Sequence, residues 1–320
     1  MNDLIISDNV TKSYDLTVNT HNAINPAVSY LLRLRSTKSQ ITMRSCLNKI
    51  ANMFEAFDLT TFDWSTLDKT KVQIVIKRLI NQNKAPNTIN LMLCAIKGVA
   101  EEARSSRHID SHTYQDIKSV KRLKGVRVSK GRMLEKSEIQ KIFQYFDSLN
   151  SAIAVRDAAM FAVMVGCGLR RSEVVDLKYE DIDFESSLII IHGKGNKERE
   201  NYMPDEIKER LLLWVNEVRG PHAGYLFNRI LKNDDVTGNK LGTSSIRFIF
   251  ERLLKNLNSN MKEFTPHDLR RTYASSLLEN GEDIFTVKDA LGHASVTTTQ
   301  QYDKRGKKRL QEAAQRLTFK

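Results

Sequence analysis

The sequence predicts a mainly α-helical chain of two domains, with a small β-hairpin in the second. Three observations carry this reading. At 320 residues the chain is longer than one typical core supports. Its 5 prolines and 14 glycines interrupt it rarely, and apolar residues recur at helical spacing over most of its length. The period shortens to that of a strand clearly at one place, around residues 187–203.

Taken in order, residues 1–24 are polar and unpatterned and read as a loose arm. Residues 25–117 read as an all-helical domain. Leu47, Ile50 and Phe54 share a face over Ile41 to Phe54, with Arg44 and Lys49 elsewhere. Val75, Ile76, Leu79 and Ile80 mark a helix over Val72 to Asn81. Pro86-Asn87-Thr88 makes a turn and starts a helix from about Ile89 to Ala103. Residues 118–132, KSVKRLKGVRVSKGR, are strongly basic, hold two glycines and lose the helical period. They read either as a solvated linker or, preferred here, as a linker laid along a phosphate backbone.

The second domain takes residues 133–320. Helices fit Ser137 to Leu149, Ala152 to Val165, and a stretch from Arg171 ending before Tyr179. Ser187 to His192 is a β-branched strand, Gly193 to Asn196 a turn, and Glu200 to Met203 a returning strand. A short strand fits Tyr225 to Phe227. Helices follow over Ser244 to Leu257, His267 to Asn280 and Ile284 to Leu291, with a tail helix from Lys307 to Leu317. No internal repeat or low-complexity tract is present.

Composition narrows the function classes. Lys plus Arg number 50 against 38 Asp plus Glu, a formal net charge of +12. That surplus points to a polyanionic partner, nucleic acid being the commonest. Cys46, Cys94 and Cys167 are scattered, odd in number and not in metal-ligand spacing, and read as reduced core or near-core residues of a cytosolic protein. The N-terminus lacks the charged and apolar regions of a signal peptide. The longest apolar run, Ala158 to Val165, is too short to span a membrane.

Four separated segments offer polar residues suited to a phosphate: Gly168-Leu169-Arg170-Arg171-Ser172-Glu173, Gly193-Lys194-Gly195-Asn196-Lys197-Glu198-Arg199, His267-Asp268-Leu269-Arg270-Arg271, and Leu291-Gly292-His293 followed nine residues later by Tyr302. His267 and Arg270 are three apart and share a helix face. One can handle a proton while the other aims its planar fork at a phosphate. Pro266 suits the first turn of that helix. Lys194 sits at the hairpin tip. Gly292-His293 falls where a helix ends, which exposes the imidazole, and Tyr302 lies outside any apolar stripe. Each element alone has a bland reading: a surface ion pair, a solvated helix start, a hairpin tip, a packed tyrosine. The order and spacing of all four carry the signal.

The sequence resembles the tyrosine recombinases, the phage-integrase-type site-specific recombinases. GLRRSE resembles the family's box I. HDLRRTYASSLL and LGHASVTTTQQY resemble box II through to the nucleophile, and IIIHGKGNKERE resembles the hairpin with the active-site lysine. The resemblance runs over about residues 133 to 310 and is weaker over about 25 to 117, which looks like the family's helical core-binding domain. It implies a two-domain clamp on DNA.

Residue by residue, the resemblance implies that Arg170 and Arg270 hold the non-bridging oxygens of the scissile phosphate. Lys194 would protonate the leaving 5′ oxygen, and His267 would exchange a proton with the tyrosine. His293 would donate a hydrogen bond to the phosphate, Glu173 would orient an arginine or histidine, and Tyr302 would be the nucleophile. Arg171 and Arg271, one residue beyond each catalytic arginine, turn about 100° away and take structural or backbone-contact roles. Tyr273 reads as helix packing. Candidate DNA contacts are Arg44, Asn87, Thr88, Lys121, Arg122, Lys124, Arg127, Lys197 and Arg199. No metal or other cofactor is implied.

The implied partners are double-stranded DNA with a specific recombination site, copies of the chain in a tetramer on paired sites, and accessory bending or directionality proteins. The implied setting is a bacterial or phage-encoded cytoplasmic protein associated with the nucleoid, integrating or excising a mobile element. The region before residue 25 is too short for the arm-binding domain of the larger integrases. Competing readings are a type IB topoisomerase or hairpin-forming resolvase with the same chemistry, a non-catalytic DNA-binding regulator, and a structural nucleic-acid-binding protein.

Overall fold

The computed structural model describes residues 25–125, 131–193, 198–231, 233–257, 261–303, 306 and 314–315. It forms two compact units, Met1–Ser129 and Lys130–Lys320.

The first unit is all helical: α1 (Pro26–Arg33), α2 (Thr37–Asn52), a 3₁₀ turn (Trp64–Thr66), α3 (Lys69–Asn81), α4 (Pro86–Ser105) and α5 (Ser111–Ser119). Side chains begin several of these. Asn25 accepts from the amides of Ala27 and Val28, Asp68 from Lys71, and Asp110 from Thr113. Helix α4 is the hub, packing on α1, α2, α3 and α5 and burying Leu93, Ile96 and Val99. The short α1 and α5 were not singled out from the sequence. Lys118 and Ser119, the first residues of the basic stretch, close α5. Cys94 corrects its expected place: it is exposed, whereas Cys46 and Cys167 are buried.

The second unit contains α6 (Lys136–Asp147), α7 (Ala152–Gly166), α8 (Arg171–Asp176), β1 (Ile182–Asp183), β2 (Leu188–His192), β3 (Glu198–Tyr202), α9 (Asp205–Trp214), β4 (Asn228–Ile230), β5 (Val236–Lys240), α10 (Thr243–Asn256), α11 (Pro266–Glu279), α12 (Ile284–Leu291) and α13 (Val296–Gln300). Helix α7 is apolar all round and lies inside the core, with α6, α8, α9 and α11 packed on it. It also buries an ion pair. The Arg156 guanidinium donates to Asp157 Oδ1 at 2.8 and 3.0 Å, and Arg252 reaches Oδ2 of the same carboxylate.

Strands β1, β2 and β3 form an antiparallel sheet in that order. The β2–β3 register pairs Ile189 with Asn201, Ile191 with Arg199, and His192 with Glu198. The strand expected at 225–227 is one residue pair, Tyr225 with Lys178; the extended segment comes next, as β4 paired with β5. Leu226 and Phe227 are buried there, which explains their apolar signal. The tail helix expected over 307–317 lies outside the described residues except at 314 and 315.

Gly98 in α4 faces the buried Tyr30 ring of α1: a Cβ there would fall 2.1 Å from Tyr30 Cε2. Gly98→Ala is therefore expected to destabilise the first unit by about 1–3 kcal/mol despite the better helix propensity of alanine. Urea unfolding of the variant measures this, and an unchanged midpoint would contradict the packing described.

Candidate active site

The site is assembled in the second unit from the turn before α8, strand β3, the start of α11 and the end of α12. Gly168 takes a left-handed backbone (φ +62), and a Cβ on it would lie 2.3 Å from the Tyr273 ring on α11. This close approach brings the Gly168–Glu173 segment against α11. Arg170 sits at the N-cap of α8, and its backbone N–H donates to Glu173 Oε2 at 2.8 Å. Its side chain, 40% exposed, donates through Nη1 to Glu173 Oε1 at 2.6 Å and through Nη2 to the Gly292 carbonyl at 3.2 Å.

Helix α11 begins with Pro266 at N1 and a reciprocal cap between Thr265 and Asp268. Arg270, 2% exposed, donates through Nη1 to the Gly168 carbonyl at 2.6 Å and through Nη2 to the Leu291 carbonyl. Its Nη1 lies 4.0 Å from Glu173 Oε2. His267, one turn earlier, stays exposed. Arg271 faces elsewhere, as the 100° step requires. Its Nε is 3.9 Å from Asp268, and its Cζ is 5.4 Å from the centre of the Tyr302 ring. Arg171 is exposed.

Helix α12 ends at Gly292 in the left-handed conformation (φ 61), which returns the chain so that the His293 N–H donates to the Lys288 carbonyl at 3.0 Å. His293 is half-buried, not exposed as expected. Its Nδ1 is 2.9 Å from Thr299 Oγ1, and its ring centre lies 6.1 Å from that of Tyr302. Tyr302 follows α13 in a turn, its N–H donating to the Thr299 carbonyl at 2.9 Å. Expected outside any apolar stripe, it is 4% exposed and packs with Ala274, Leu278, Val287 and Leu291. A turn residue follows no helical period, so spacing gave no sign of this burial.

Glu173 is the electrostatic centre. Burial alone pushes its carboxyl up, but hydrogen bonds and charge from Arg199 and Arg170 outweigh it and hold the group down at about 2. Arg270 is lowered to about 10 by burial and by Arg170, with Glu173 opposing. His267 is lowered by burial and then by Arg271 and Arg270. His293 is lowered to about 4 by burial, then Arg270, Arg170 and Arg199. Both imidazoles are therefore neutral at pH 7 beside a cluster of guanidiniums.

The structure thus brings Arg170, Glu173, Arg270, His293 and Tyr302 together, with His267 close enough to feel the same charges. Lys194, Lys197 and Arg127 lie outside the described residues. Asn87, Thr88, Lys121, Arg122 and Lys124 are exposed on the first unit, and Arg44 is half-buried on α2. Arg199 corrects its expectation as a DNA-phosphate contact. It turns inward, and both its terminal nitrogens donate to Glu173, at 3.0 and 2.8 Å. Register is the reason: Arg199 pairs with buried Ile191 and stands two residues from buried Asn201, so it shares their face.

Sequence reasoning missed other members. Asp268 accepts the Arg132 N–H at 2.9 Å, and Asn201 bridges the Cys167 carbonyl at 2.8 Å to the Tyr273 hydroxyl at 3.1 Å. Thr299 is buried beneath His293. The T-P-H-D capping pattern was the one available signal, pointing to Asp268. Among the described residues, no group of three or more His, Cys, Asp or Glu side chains could hold a metal ion, and no helix is long and apolar enough to cross a membrane.

Because the Glu173 carboxyl is lowered in the fold, its stabilising contribution is present above its unfolded value near 4.5 and is lost as pH falls towards about 2. Glu173→Gln should cost on the order of 3 kcal/mol at pH 6, and the gap from wild type should narrow between pH 4.5 and 2. Denaturant unfolding at several pH values checks this; a gap constant with pH would contradict it.

The sequence matches the model of the phage integrase family over residues 132–309. Tyrosine recombinase XerC of Proteus mirabilis is 29% identical over 290 residues, covering 88% of each chain. The XerC of Treponema denticola is 30% identical over 256 residues, covering 77% of this chain and 81% of that one. Among solved structures, the Tn1549 transposon integrase in complex with circular intermediate DNA superposes with a TM-score of 0.68 at 18% identity, covering 92% of this chain and all of that one. A lambda integrase dimer bound to a core site gives 0.66 at 17%, covering 88% and 94%. With more than half of its length matched by the family model and its site residues drawn from that same stretch, the chain belongs to the phage integrase family and is a tyrosine recombinase.

Proposed function

We propose that this recombinase cuts and rejoins DNA strands at a specific site through a covalent bond between Tyr302 and a backbone phosphate. The observation that carries the reading is the convergence of Arg170 and Arg270 on one buried carboxylate, with the rings of His293 and Tyr302 6.1 Å apart in the same site. Fixed cations aimed where charge grows on the non-bridging oxygens lower the barrier most. Arg170 is half open to an incoming phosphate, while Arg270 is held from behind by the Gly168 and Leu291 carbonyls.

In this scheme the Tyr302 oxygen attacks phosphorus, and a 3′-phosphotyrosine forms as the bond to the 5′ oxygen breaks. A free phenol has a pKa near 10 and needs its proton removed. His267, neutral at pH 7, is suited to accept it. His293, also neutral, donates a hydrogen bond to a phosphate oxygen from the ring nitrogen not facing Thr299. Lys194 gives its proton to the departing 5′ oxygen. A 5′-hydroxyl from a partner duplex then attacks the phosphotyrosine and reseals the strand. The phosphodiester energy is kept, so no nucleotide is consumed.

The first unit would be the core-binding domain, with Asn87 and Thr88 at the start of α4 near the major groove and Arg44 close by. Residues 120–131, including Lys121, Arg122, Lys124 and Arg127, would form a basic linker along the backbone. The working assembly would be a tetramer on paired sites, with accessory proteins setting direction, in the cytoplasm, acting on a mobile element. The DNA complexes of the Tn1549 and lambda integrases support the DNA partner.

A nicked suicide duplex carrying the recombination site, incubated in chelator, should yield a denaturation-resistant adduct with wild type and none with Tyr302→Phe. Arg170→Ala should still bind the site but cleave about 10²–10³ more slowly. Binding without an adduct would favour a regulator, and supercoil relaxation without strand exchange a topoisomerase.

A further inference from the structure

We propose that Arg199 is a positioning residue for strand cleavage, tying the hairpin to the two segments that present Arg170 and His293 to the phosphate. The inference rests on the recombinase reading of the site and adds to it a residue that touches no DNA. All three guanidinium nitrogens of Arg199 are engaged inside the protein. Nη1 and Nη2 grip Glu173 as a fork, at 3.0 and 2.8 Å, and Nε donates to the Ala290 carbonyl at 3.1 Å near the end of α12. The side chain is 11% exposed. One group thus joins β3, α8 and α12.

Two consequences follow for the groups that face the substrate. Glu173 spends one oxygen edge on Arg199 and still holds Arg170 at 2.6 Å. Without Arg199, the buried carboxylate would have Arg170 and Arg270 as its remaining guanidinium neighbours, the latter at 4.0 Å. It would draw both away from the phosphate they must meet. The second consequence concerns His293. A Cβ on Gly292 would lie 2.9 Å from Arg199 Cδ and 3.3 Å from its Nε and Nη1. The turn that delivers His293 is therefore seated directly on the Arg199 stem, and removing that stem unseats the turn. A lysine would keep the charge but lose the fork and the bond to Ala290.

A double-mutant cycle on the suicide duplex, at protein concentrations that saturate the DNA, separates positioning from general stability. Arg199→Met should slow adduct formation about 10–100-fold in the wild-type background, with DNA affinity unchanged, and Arg199→Lys should fall between. In an Arg170→Ala background, where much of what Arg199 positions is gone, the same change should cost less than about threefold. An equal loss in both backgrounds, or a loss that follows the fraction unfolded in thermal melts, would overturn the proposal. So would wild-type rates for Arg199→Met while Tyr302→Phe stays inactive. If Arg199→Met does not fold, Arg199→Lys carries the same cycle. Failure of the wild-type chain itself to form an adduct would instead count against the recombinase reading.

Discussion

A single buried anion, Glu173, governs the geometry of this site. Three guanidiniums, from Arg170, Arg199 and Arg270, lie within 4.0 Å of one carboxylate that is 5% exposed. Gathering like charges in a low-dielectric interior is unfavourable, and so is burying a lone carboxylate. Together the groups satisfy each other, and the three guanidiniums come from different stretches of chain. The carboxylate is therefore the point where the turn before α8, strand β3 and helix α11 are obliged to meet. In the proposed reaction, DNA would meet cations already gathered.

The scaffold behind the site is built to hold that meeting still. Helix α7, buried on all sides, gives α8 and α11 a common surface. Helix α11 is started by a reciprocal cap whose Asp268 also receives the Arg132 amide, and the adjoining Leu134 N–H donates to Thr272 Oγ1 at 2.9 Å. The segment entering the second unit is thus stitched to the helix that carries Arg270. Side chains whose own rotamers are locked by such contacts keep a catalytic geometry better than loop residues do.

Much of this was legible in the sequence, and the parts that were not share a physical cause. Helices with long apolar periods, such as α7 and α11, fall within a residue or two of their expected limits. The motif order placed Arg170, Glu173, Arg270, His293 and Tyr302 in one site before any fold was known. What spacing could not show was which way a side chain faces once strands pair. Arg199 lay between the expected turn, Gly193 to Asn196, and a returning strand read from residue 200. Two residues of extra pairing put it on the inner face, opposite Ile191. The β4–β5 ribbon was missed because Val236–Lys240 is polar, contains a glycine and shows no clean alternation. Tyr302 was expected outside any apolar stripe and is buried instead, because a turn carries no periodic record of what covers it.

That cover has a meaning for the genome the protein handles. The Tyr302 ring lies between the Arg271 guanidinium and four aliphatic side chains, so in the proposed reaction its oxygen would have to be uncovered before meeting a phosphate. In that scheme, a copy bound away from its recombination site would keep the nucleophile covered.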